Sequence, residues 1–390
     1  MRILITNASY HNTLAATRAL GKRGMNVTVA GRKGKIFKFS PSFHSKYCSE
    51  KEYYTSPRKN TEGFVQDLLG IVKKNKYDVL LPMGLSCVIP VVKHLNEFSD
   101  YVNVPFGPYS KAIQAHDKSQ TIAIASDLNV PVPETYIPHS ISELKENMGK
   151  VTFPAVIKPR KGAGAKGVFY AKNPRELIEI YRSTSNDQET VDNSKLIYDR
   201  QNPLIQEYVD GTIHDVCLIA KQGKVLAMLT QKRLKTLPPQ GGSGILNQTT
   251  DIEILKEYSR RLINEIGYHG LAQVEFKYDT KSEQYKLMEI NPKFWGTLAL
   301  SIEAGINFPL LATNLANDKK IDLQSDYKVG IKYRWPFPQE ILAMLESGNK
   351  LAAIGDFFIP KNALTDFSIM DPIPNILQIA STIPKAFSSF

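Results

Sequence analysis

Residues 272–296 alternate between apolar and polar side chains in two runs that flank a polar turn at 280–284. This period of two predicts an antiparallel β-hairpin. Glu275 falls on one face of the first run, and Glu289 and Asn291 fall on one face of the second. We therefore expect a hairpin with an acidic face.

The acidic face indicates a metal site. Glu275 is expected directly across from Glu289, with Cβ atoms about 5 Å apart, where like charges destabilise a strand pair. A cation should therefore lie between them. Two carboxylates and the Asn291 amide oxygen, with no His or Cys nearby, suit Mg²⁺ or Mn²⁺ better than zinc. A solvated acidic face is the alternative, but the proline at 292 ends the ladder and Lys293 adds a cation, which favours the metal site.

The first hundred residues alternate strand and helix patterns, which predicts a parallel α/β layer with strands at 2–6, 26–30 and 77–81 and helices at 12–23, 62–74 and 86–96. The first turn, at 7–11, contains no glycine, which argues against a Rossmann dinucleotide site. The loop at 82–86 follows a strand at its carboxyl end, where open α/β sheets bind ligands. A plain connection into the next helix explains this loop equally well.

A basic, glycine-rich loop at 158–167 separates two short strand patterns. It matches GxGxxG only formally, because a strand follows it where a helix would be required. Gly162, Gly164 and Gly167 would let backbone amides approach phosphate oxygens, while Lys158 and Lys166 supply charge. A mobile basic turn is the alternative, and the four cations in nine residues favour phosphate binding.

The remaining patterns predict further helices and strands, a disordered insertion at 183–195 and a flexible flap at 238–244. The helices are expected at 110–128, 174–182, 251–266 and 301–316, with short amphipathic pieces at 339–347 and 375–386. The strands are expected at 151–157, 168–171, 203–211, 213–220 and 224–231.

Composition narrows the function classes. The chain has 390 residues, 42% of them hydrophobic and 22% charged, as in a globular protein. It has no apolar run of the ~20 residues that span a bilayer, and its N-terminus begins a strand, so we expect a cytoplasmic protein without a membrane span. Its three cysteines are too few and too widely spaced for a disulfide framework or a zinc module. The net charge of +11 is accompanied by no nucleic-acid-binding motif, so an anionic small-molecule ligand explains the basic clusters more simply.

These motifs together resemble the ATP-grasp superfamily from about residue 111 to 300. The matching order is Asp117-Lys118, VIKP at 156–159, the glycine loop, IQEYVDG at 205–211, QKR at 231–233, VEF at 274–276 and MEINPKFWG at 288–296. The last motif and the Pro-Pro-x-Gly-Gly-Ser flap resemble a branch of predicted ATP-dependent carboligases. The resemblance implies α/β and α+β architecture, with an N-terminal parallel α/β (pre-ATP-grasp) domain at 1–110, an ATP-grasp module at 111–320 and a C-terminal extension at 321–390 that packs on the body. Within the module, a small lobe at about 130–210 would precede a metal-binding lobe at about 211–320.

The resemblance also implies roles for individual residues. Lys118 and Lys158 would contact the phosphates of ATP, and the loop at 162–167 would close over them. The adenine would be read by Glu207 with the backbone of Tyr208 and Val209, and Asp215 would hold the ribose. Two Mg²⁺ or Mn²⁺ ions would be bound by Glu275, Glu289 and Asn291. Charge on the transferred phosphoryl group would be stabilised by Arg233 and Lys293.

The sequence departs from the family pattern at three positions. Many relatives have Arg at the positions of Gln273 and Lys293. At position 293 the lysine supplies a point charge in place of the bidentate guanidinium of arginine. Asp215 also stands farther from Glu207 than the ribose carboxylate does in some relatives. The first two departures are compatible with ATP binding and bear on the identity of the acyl substrate and on how it is held.

The resulting hypothesis is an enzyme that activates a carboxylate as an acyl phosphate with Mg-ATP and joins it to an amine, releasing ADP and phosphate. One alternative is a kinase or a carbamoyl-phosphate-synthetase-like phosphoryl transfer. Another is a non-catalytic ATP-binding module. Small-molecule carboxylates and amines are the expected partners, together with a possible homodimer.

Overall fold

The structure, a computed structural model, describes residues 1–162, 164, 167–185, 202–238, 241–324, 326–345, 355, 357 and 362–387. Three sheets organise these residues, with strand orders β3-β2-β1-β4, β5-β8-β6-β7 and β13-β12-β9-β10-β11-β14-β15. The strands are β1 Arg2–Ile5, β2 Asn26–Arg32, β3 Glu50–Tyr54, β4 Val79–Leu81, β5 Thr135–Tyr136, β6 Ala155–Lys158, β7 Phe169–Ala171, β8 Leu204–Glu207, β9 Gly211–Lys221, β10 Lys224–Leu237, β11 Ser243–Thr250, β12 Gly270–Asp279, β13 Gln284–Asn291, β14 Lys332–Arg334 and β15 Leu364–Thr365.

Helices connect and cover these sheets. They are α1 His11–Gly21, α2 Thr61–Lys74, α3 Leu85–Lys93, α4 Leu95–Ser99, α5 Tyr109–His116, α6 Lys118–Asp127, α7 Ile141–Glu146, α8 Pro174–Ser185, α9 Glu253–Ile266, α10 Leu298–Glu303, α11 Phe308–Ala316, α12 Ile341–Leu345 and α13 Ile373–Phe387. None of the helices in the described ranges is long and apolar enough to cross a membrane.

The N-terminal sheet is parallel, as the strand and helix pattern predicts. β1 pairs in parallel with β2 and β4, and β2 pairs with β3. The α2 helix begins where the Asn60 side chain accepts a hydrogen bond from the Gly63 amide at 2.8 Å. The apolar face of α2 then packs on the sheet through Phe64, Val65 and Leu68. The predicted architecture, an N-terminal parallel layer followed by a sheet-rich region, is confirmed.

Two antiparallel sheets follow and differ in size. The small one pairs β6 with β7 around the glycine loop, so that this loop lies in a hairpin. The large one contains the acidic hairpin, β12 and β13, and continues through β9 to β11. Strand β14 joins its edge at β11, and β15 pairs with β14. Residues 321–387 therefore contribute strands to the large sheet within the part of the chain that the structure describes.

Three predicted helices are each interrupted. The pattern at 86–96 forms two helices, α3 and α4. The pattern at 110–128 forms α5 and α6, with a break at Asp117. The Asp117 side chain accepts a hydrogen bond from the Ser119 backbone amide and so caps the start of α6. The pattern at 301–316 forms α10 and α11, separated by Gly305 in the left-handed region (φ +115°). A side-chain cap at Asp117 and a positive φ at Gly305 override a continuous apolar periodicity at the second and third of these points.

Several strand predictions are also corrected. The strand predicted at 151–157 begins only at 155, and the strand predicted at 224–231 extends to 237. Strand β11, which replaces the end of the predicted flap, was not predicted. The predicted insertion at 183–195 falls outside the described residues from 186 onward, and residues 183–185 end α8.

A buried cluster connects the N-terminal layer to the large sheet. It includes Ile3 and Leu81 from the parallel sheet, Leu271 from β12, and Trp295 from the segment after β13. Trp295 is fully buried, and its ring packs edge-on against Phe308 at 4.7 Å between centroids. Trp295 therefore anchors the segment after the acidic hairpin to a core shared by both regions.

Candidate active site

A cavity of about 230 Å³ lies between the small and the large antiparallel sheets. The small sheet lines it with Lys158 and Tyr170, and the large sheet lines it with Arg233, Glu275 and Glu289. Among the described residues that line this cavity, five carry positive charge: Lys118, Lys158, Arg233, Lys277 and Lys293. Three carry carboxylates: Glu207, Glu275 and Glu289. The excess of positive charge suits a polyphosphate ligand.

Most of the residues identified from the sequence line this cavity. Those that line it are Arg233, Lys293, Lys118, Lys158, Gly162, Gly164, Glu207, Tyr208, Val209, Glu275, Glu289 and Asn291. Gly167 and Asp215 are not among the lining residues, and Lys166 lies outside the described residues.

The register of the acidic hairpin agrees with the prediction. Glu275 pairs with Glu289, and Gln273 pairs with Asn291. A β-bulge follows, because Phe276 pairs with Leu287 and leaves Met288 as the extra residue. The bulge helps to explain why both Met288 and Glu289 line the cavity although they are sequence neighbours.

Different cations neutralise the two facing carboxylates. Glu289 is 2.9 Å from the Lys118 ammonium, and Glu275 forms an ion pair with Arg233. Burial opposes ionisation of Glu289, but Lys118 and a hydrogen bond from Asn291 outweigh it and lower the pKa of Glu289 to about 2. Burial raises the pKa of Glu275, and the negative charge of Glu289 adds to that rise.

The three lysines of the site differ in their surroundings. Lys118 reaches the Gly162 carbonyl at 3.2 Å as well as Glu289, and so connects the glycine loop to the acidic hairpin. Burial, reinforced by the Lys118 charge, lowers the pKa of Lys158 to about 8. Burial also lowers the pKa of Lys293. An anionic ligand in the cavity would favour the charged form of both groups.

Asp215 occupies a different position from the one that the family resemblance implies. Its side chain is fully buried behind the cavity wall, where it pairs with Arg233 at 2.6 Å and accepts a hydrogen bond from Gln231 at 2.9 Å. These partners leave Asp215 without access to a ribose in the cavity. Asp215 therefore orients Arg233. Burial alone would lower the pKa of Arg233, but the charges of Asp215 and Glu275 outweigh burial and raise it.

The expected adenine end of the cavity contains a further ion-pair network. Lys286 contacts Glu207 and is 3.0 Å from Asp279, whose pKa falls to about 2 because the hydrogen bonds from Ser282 and Lys286 outweigh burial. The Tyr208 amide donates to Pro154 at 3.0 Å. Glu207 and the Tyr208 amide thus already have protein partners.

Sequence reasoning missed several contributors to the site. Gln231 and Thr297 hydrogen-bond to each other beneath Arg233, at 2.7 and 3.1 Å. Lys277 lies 4.9 Å from the centre of the Tyr208 ring. Its position two residues after Glu275 on the same strand face was visible in the alternation, but the partners of Gln231 and Thr297 come from distant parts of the chain.

The oxygen ligands expected to hold a metal can be tested on the structure. Asn291 Oδ1 is buried and has no hydrogen-bond partner among the described residues, whereas its Nδ2 donates to Glu289 at 2.6 Å. An unpartnered buried amide oxygen beside two carboxylates fits a hard divalent cation. No group of three or more His, Cys, Asp or Glu side chains within the described ranges could hold a metal, so the fit depends on this amide oxygen.

Comparison with known proteins agrees with this arrangement. Residues 199–336 match a family model described as ATP-grasp in the biosynthetic pathway with Ter operon. The family model identifies residues 199–336 as an ATP-grasp segment. Over a longer stretch, the chain is 23% identical over 317 residues to the large chain of carbamoyl phosphate synthase from Methanobrevibacter smithii. That match covers 74% of this chain and 29% of the relative, so the chain spans less than a third of the relative's length.

Two solved structures of other proteins share the fold. The biotin carboxylase domain of 2-oxoglutarate carboxylase from Hydrogenobacter thermophilus, a dimer in complex with MgADP, ADP and bicarbonate, superposes with a TM-score of 0.67 at 14% identity over 85% of this chain and 73% of its own. The L-amino acid ligase from Bacillus licheniformis superposes with a TM-score of 0.60 at 14% identity over 81% of this chain and 74% of its own. At these identities the likeness shows the fold.

Proposed function

We propose that this ATP-grasp protein is an ATP-dependent ligase that activates a carboxylate as an acyl phosphate and transfers the acyl group to an amine. The observation that carries the proposal is the facing pair Glu275 and Glu289, beside the unpartnered Asn291 oxygen, in a cavity where cations outnumber carboxylates. Facing carboxylates with an amide oxygen suit a Mg-triphosphate, because phosphoryl transfer depends mainly on positioning and charge neutralisation.

Glu275, Glu289 and Asn291 would hold Mg²⁺ or Mn²⁺, with two ions as the family resemblance implies. A bound divalent ion neutralises charge on the phosphates that it bridges. The residues fit this task because the only partners of Glu289 in the described structure are Lys118 and Asn291, side chains that a metal-nucleotide complex could rearrange.

The cations around this face divide by position. Lys118 and Lys158 would bind phosphate oxygens, since both reach the region between the glycine loop and β13. Arg233 and Lys293 would lie where charge develops during transfer. Asp215 holds the Arg233 guanidinium through two contacts, at 2.6 and 3.1 Å, so this cation is oriented before any ligand binds.

The proposed reaction has two steps. A carboxylate oxygen attacks the γ-phosphorus of ATP, breaking the bond to the bridging oxygen and releasing ADP. The amine then attacks the carbonyl carbon of the acyl phosphate, loses a proton, and expels inorganic phosphate that carries the attacking carboxylate oxygen. Gly162, Gly164, Gly241 and Gly242 line the cavity, and closure of this lining over the ligand would exclude water from the acyl phosphate.

The comparisons support the reaction class and leave the substrates open. The similar proteins include an L-amino acid ligase, a carbamoyl phosphate synthase and a biotin carboxylase domain crystallised with MgADP and bicarbonate. The common element is an ATP-dependent reaction of a carboxylate or bicarbonate. A homodimer and a cytoplasmic location remain predictions for this chain.

A hydroxylamine trap tests the proposal. Purified protein with Mg-ATP is screened over amino acids and other carboxylates, and both ADP release and hydroxamate formation are measured. We expect a hydroxamate with one acid, lost in Glu289→Gln and retained in the matched control Glu283→Gln, an exposed residue in the turn of the same hairpin. ADP release with a stable phosphorylated product would instead indicate a kinase, and full turnover by Glu289→Gln would refute the metal assignment.

A further inference from the structure

A second cavity, of about 200 Å³, lies at the carboxyl edge of the N-terminal parallel sheet. Loops that follow all four strands contribute to it, including Tyr10 after β1, Arg32 at the end of β2, Arg58 after β3 and Ser86 after β4. The strand order β3-β2-β1-β4 changes direction at β1, and open α/β sheets bind ligands at this kind of switch point. None of the residues given a role in the proposed ligase reaction lines this cavity.

The cavity is positively charged. Arg32 and Arg58 line it, and none of the described lining residues is Asp or Glu. Neither arginine forms an ion pair with a carboxylate of the described chain. The Arg32 guanidinium lies over the Phe37 ring, 4.1 Å from its centre, and this contact orients it at the cavity wall. Burial raises the pKa of Tyr10, whereas the charges of Arg58 and Arg32 each lower it. Both guanidiniums therefore lie close enough to influence the Tyr10 hydroxyl.

The amino ends of two helices add further positive potential. Tyr10 is the N-cap residue of α1, and Ser86 is in the first turn of α3. Neither helix has a side-chain N-cap or an acidic residue in its first turn. Amide groups at such an end favour anions. The amino ends of α1 and α3 and the side chains of two arginines therefore each contribute positive potential to the same cavity.

The cavity wall between the two helix ends is fixed. Asn7 adopts a left-handed conformation (φ +63°), and its Oδ1 accepts hydrogen bonds from the Gly84 amide at 3.1 Å and from Thr6 Oγ1 at 2.8 Å. The backbone N–H of Asn7 donates a hydrogen bond to the Tyr54 hydroxyl at 2.9 Å. A Cβ on Gly84 would come within 2.7 Å of the Tyr10 ring, so the glycine permits the close approach of the β1 and β4 loops. Such preformed geometry suits a ligand site.

The first turn of α1 connects this cavity to the ATP-grasp site. Asn12 Nδ2 donates to the Phe294 carbonyl at 3.4 Å, and Phe294 follows Lys293. Tyr10 and Asn12 are two residues apart, a span of at most roughly 7 Å. A contact between Asn12 and Phe294, which follow Tyr10 and Lys293 closely along the chain, therefore links the elements that line the two cavities.

We infer that the N-terminal cavity is a second ligand site, which binds the phosphate or carboxylate group of a small-molecule substrate through Arg32, Arg58 and the amino ends of α1 and α3. The assignment of the ligand as a substrate rests on the proposed ligase function. Binding of the oxyanion group itself rests only on the cavity.

The test is a calorimetric titration of the full chain with inorganic phosphate after the ATP-grasp cavity has been saturated with Mg²⁺ and a non-hydrolysable ATP analogue. We expect phosphate to bind at one further site. Arg32→Gln and Arg58→Gln should each weaken this binding roughly tenfold or more, because a charge-assisted hydrogen bond is lost. Arg23→Gln, an exposed arginine of the same region that does not line the cavity, should leave it unchanged.

A parallel titration with acetate distinguishes the two sources of the oxyanion. Tighter binding of acetate than of phosphate, with the same dependence on both arginines, would identify a carboxylate group and would equally support the site. Absence of binding by both anions, or binding that is unaffected by Arg32→Gln and Arg58→Gln, would overturn it.

The same variants separate this inference from the proposed function. Affinity for the ATP analogue should be unchanged in Arg32→Gln and Arg58→Gln, and a loss of that affinity would contradict a separate site. A failed hydroxylamine trap with intact, arginine-dependent phosphate binding would remove the ligase proposal and leave the oxyanion site. Once a substrate is known, the variants should raise its KM tenfold or more with kcat little changed.

Discussion

Asp215 lies directly across from Glu275 on the neighbouring strand, and the guanidinium of Arg233 bridges the two carboxylates. Glu275 in turn faces Glu289 on its other side, so three carboxylates form one row across β9, β12 and β13. Such a row is unstable without cations. Arg233 neutralises one end of the row and Lys118 the other, while Glu275 and Glu289 line the cavity.

Removal of Arg233 should destabilise the protein. Arg233→Met leaves the buried Asp215 and the half-buried Glu275 without their shared partner, and we expect the free energy of unfolding to fall by about 3 kcal/mol or more. The matched control is Arg175→Met, whose partner Glu179 is exposed, with an expected change of no more than about 1 kcal/mol. Urea denaturation followed by circular dichroism measures both. Equal losses in the two variants would mean that the carboxylate row does not depend on Arg233.

Asn291→Ala should weaken the dependence on divalent metal without a comparable loss of stability. Among the described residues, Asn291 Oδ1 has no hydrogen-bond partner, and its Nδ2 supplies one hydrogen bond, worth about 1 kcal/mol. We expect the Mg²⁺ concentration for half-maximal ATP binding to rise roughly tenfold or more. The exposed Asn96→Ala serves as control. An unchanged Mg²⁺ requirement would remove Asn291 from the proposed metal ligands.

His214 should make the fold sensitive to mild acid. Burial, reinforced by Lys232 and opposed by Asp215, lowers the pKa of His214 to about 4, below the value of about 6.5 for an unfolded chain. The unfolded state therefore binds a proton more readily, so the contribution of neutral His214 is complete above pH 6.5 and is lost as the pH falls toward 4. Between pH 7 and pH 5 this loss amounts to about 2 kcal/mol.

The measurement compares unfolding free energies at pH 7 and pH 5 in the wild type, His214→Gln and His139→Gln. His139 is an exposed residue and serves as the control. His214→Gln should lose about 2 kcal/mol less on acidification than the other two proteins. The same pH dependence in all three would show that His214 does not contribute to it.

Gly211 should tolerate no side chain. Its backbone has φ +150°, and a Cβ would fall 1.7 Å from the Tyr278 carbonyl oxygen on β12. Gly211→Ala must therefore move the start of β9 away from β12, and we expect a destabilisation of about 3 kcal/mol. Gly70→Ala is the matched control, because Gly70 lies in α2 with open space around it and should gain up to about 1 kcal/mol. Thermal unfolding distinguishes the two; a stable Gly211→Ala would show that the strands separate at little cost.

The sequence predicted the hairpin register correctly because a period of two places each side chain on a definite face, and a short turn leaves few alternative pairings. It could not assign Asp215 in the same way. The register of β9 against β12 joins strands more than fifty residues apart, so only the folded sheet shows that Asp215 lies behind Arg233. Lys286 was missed for the same reason, since its partner Glu207 comes from another sheet.

The N-terminal site shows a different limit. The turn at 7–11 lacks the glycine fingerprint of a dinucleotide site. The cavity at this turn depends on Arg32 and Arg58, which the chain brings together only through the strand order of the sheet. Neither arginine belongs to a local motif, so the sequence pointed only to the loop at 82–86, whose Ser86 lines the cavity.

The most direct test of the proposed acyl phosphate is isotope transfer from the carboxylate to phosphate. The acid identified by the hydroxylamine trap is labelled with ¹⁸O in both carboxylate oxygens, incubated with Mg-ATP and the amine, and the released phosphate is examined by ³¹P NMR. The account predicts one ¹⁸O atom in each phosphate, because the oxygen that attacks the γ-phosphorus leaves with it. Release of ADP and amide with unlabelled phosphate would contradict carboxylate activation by phosphoryl transfer.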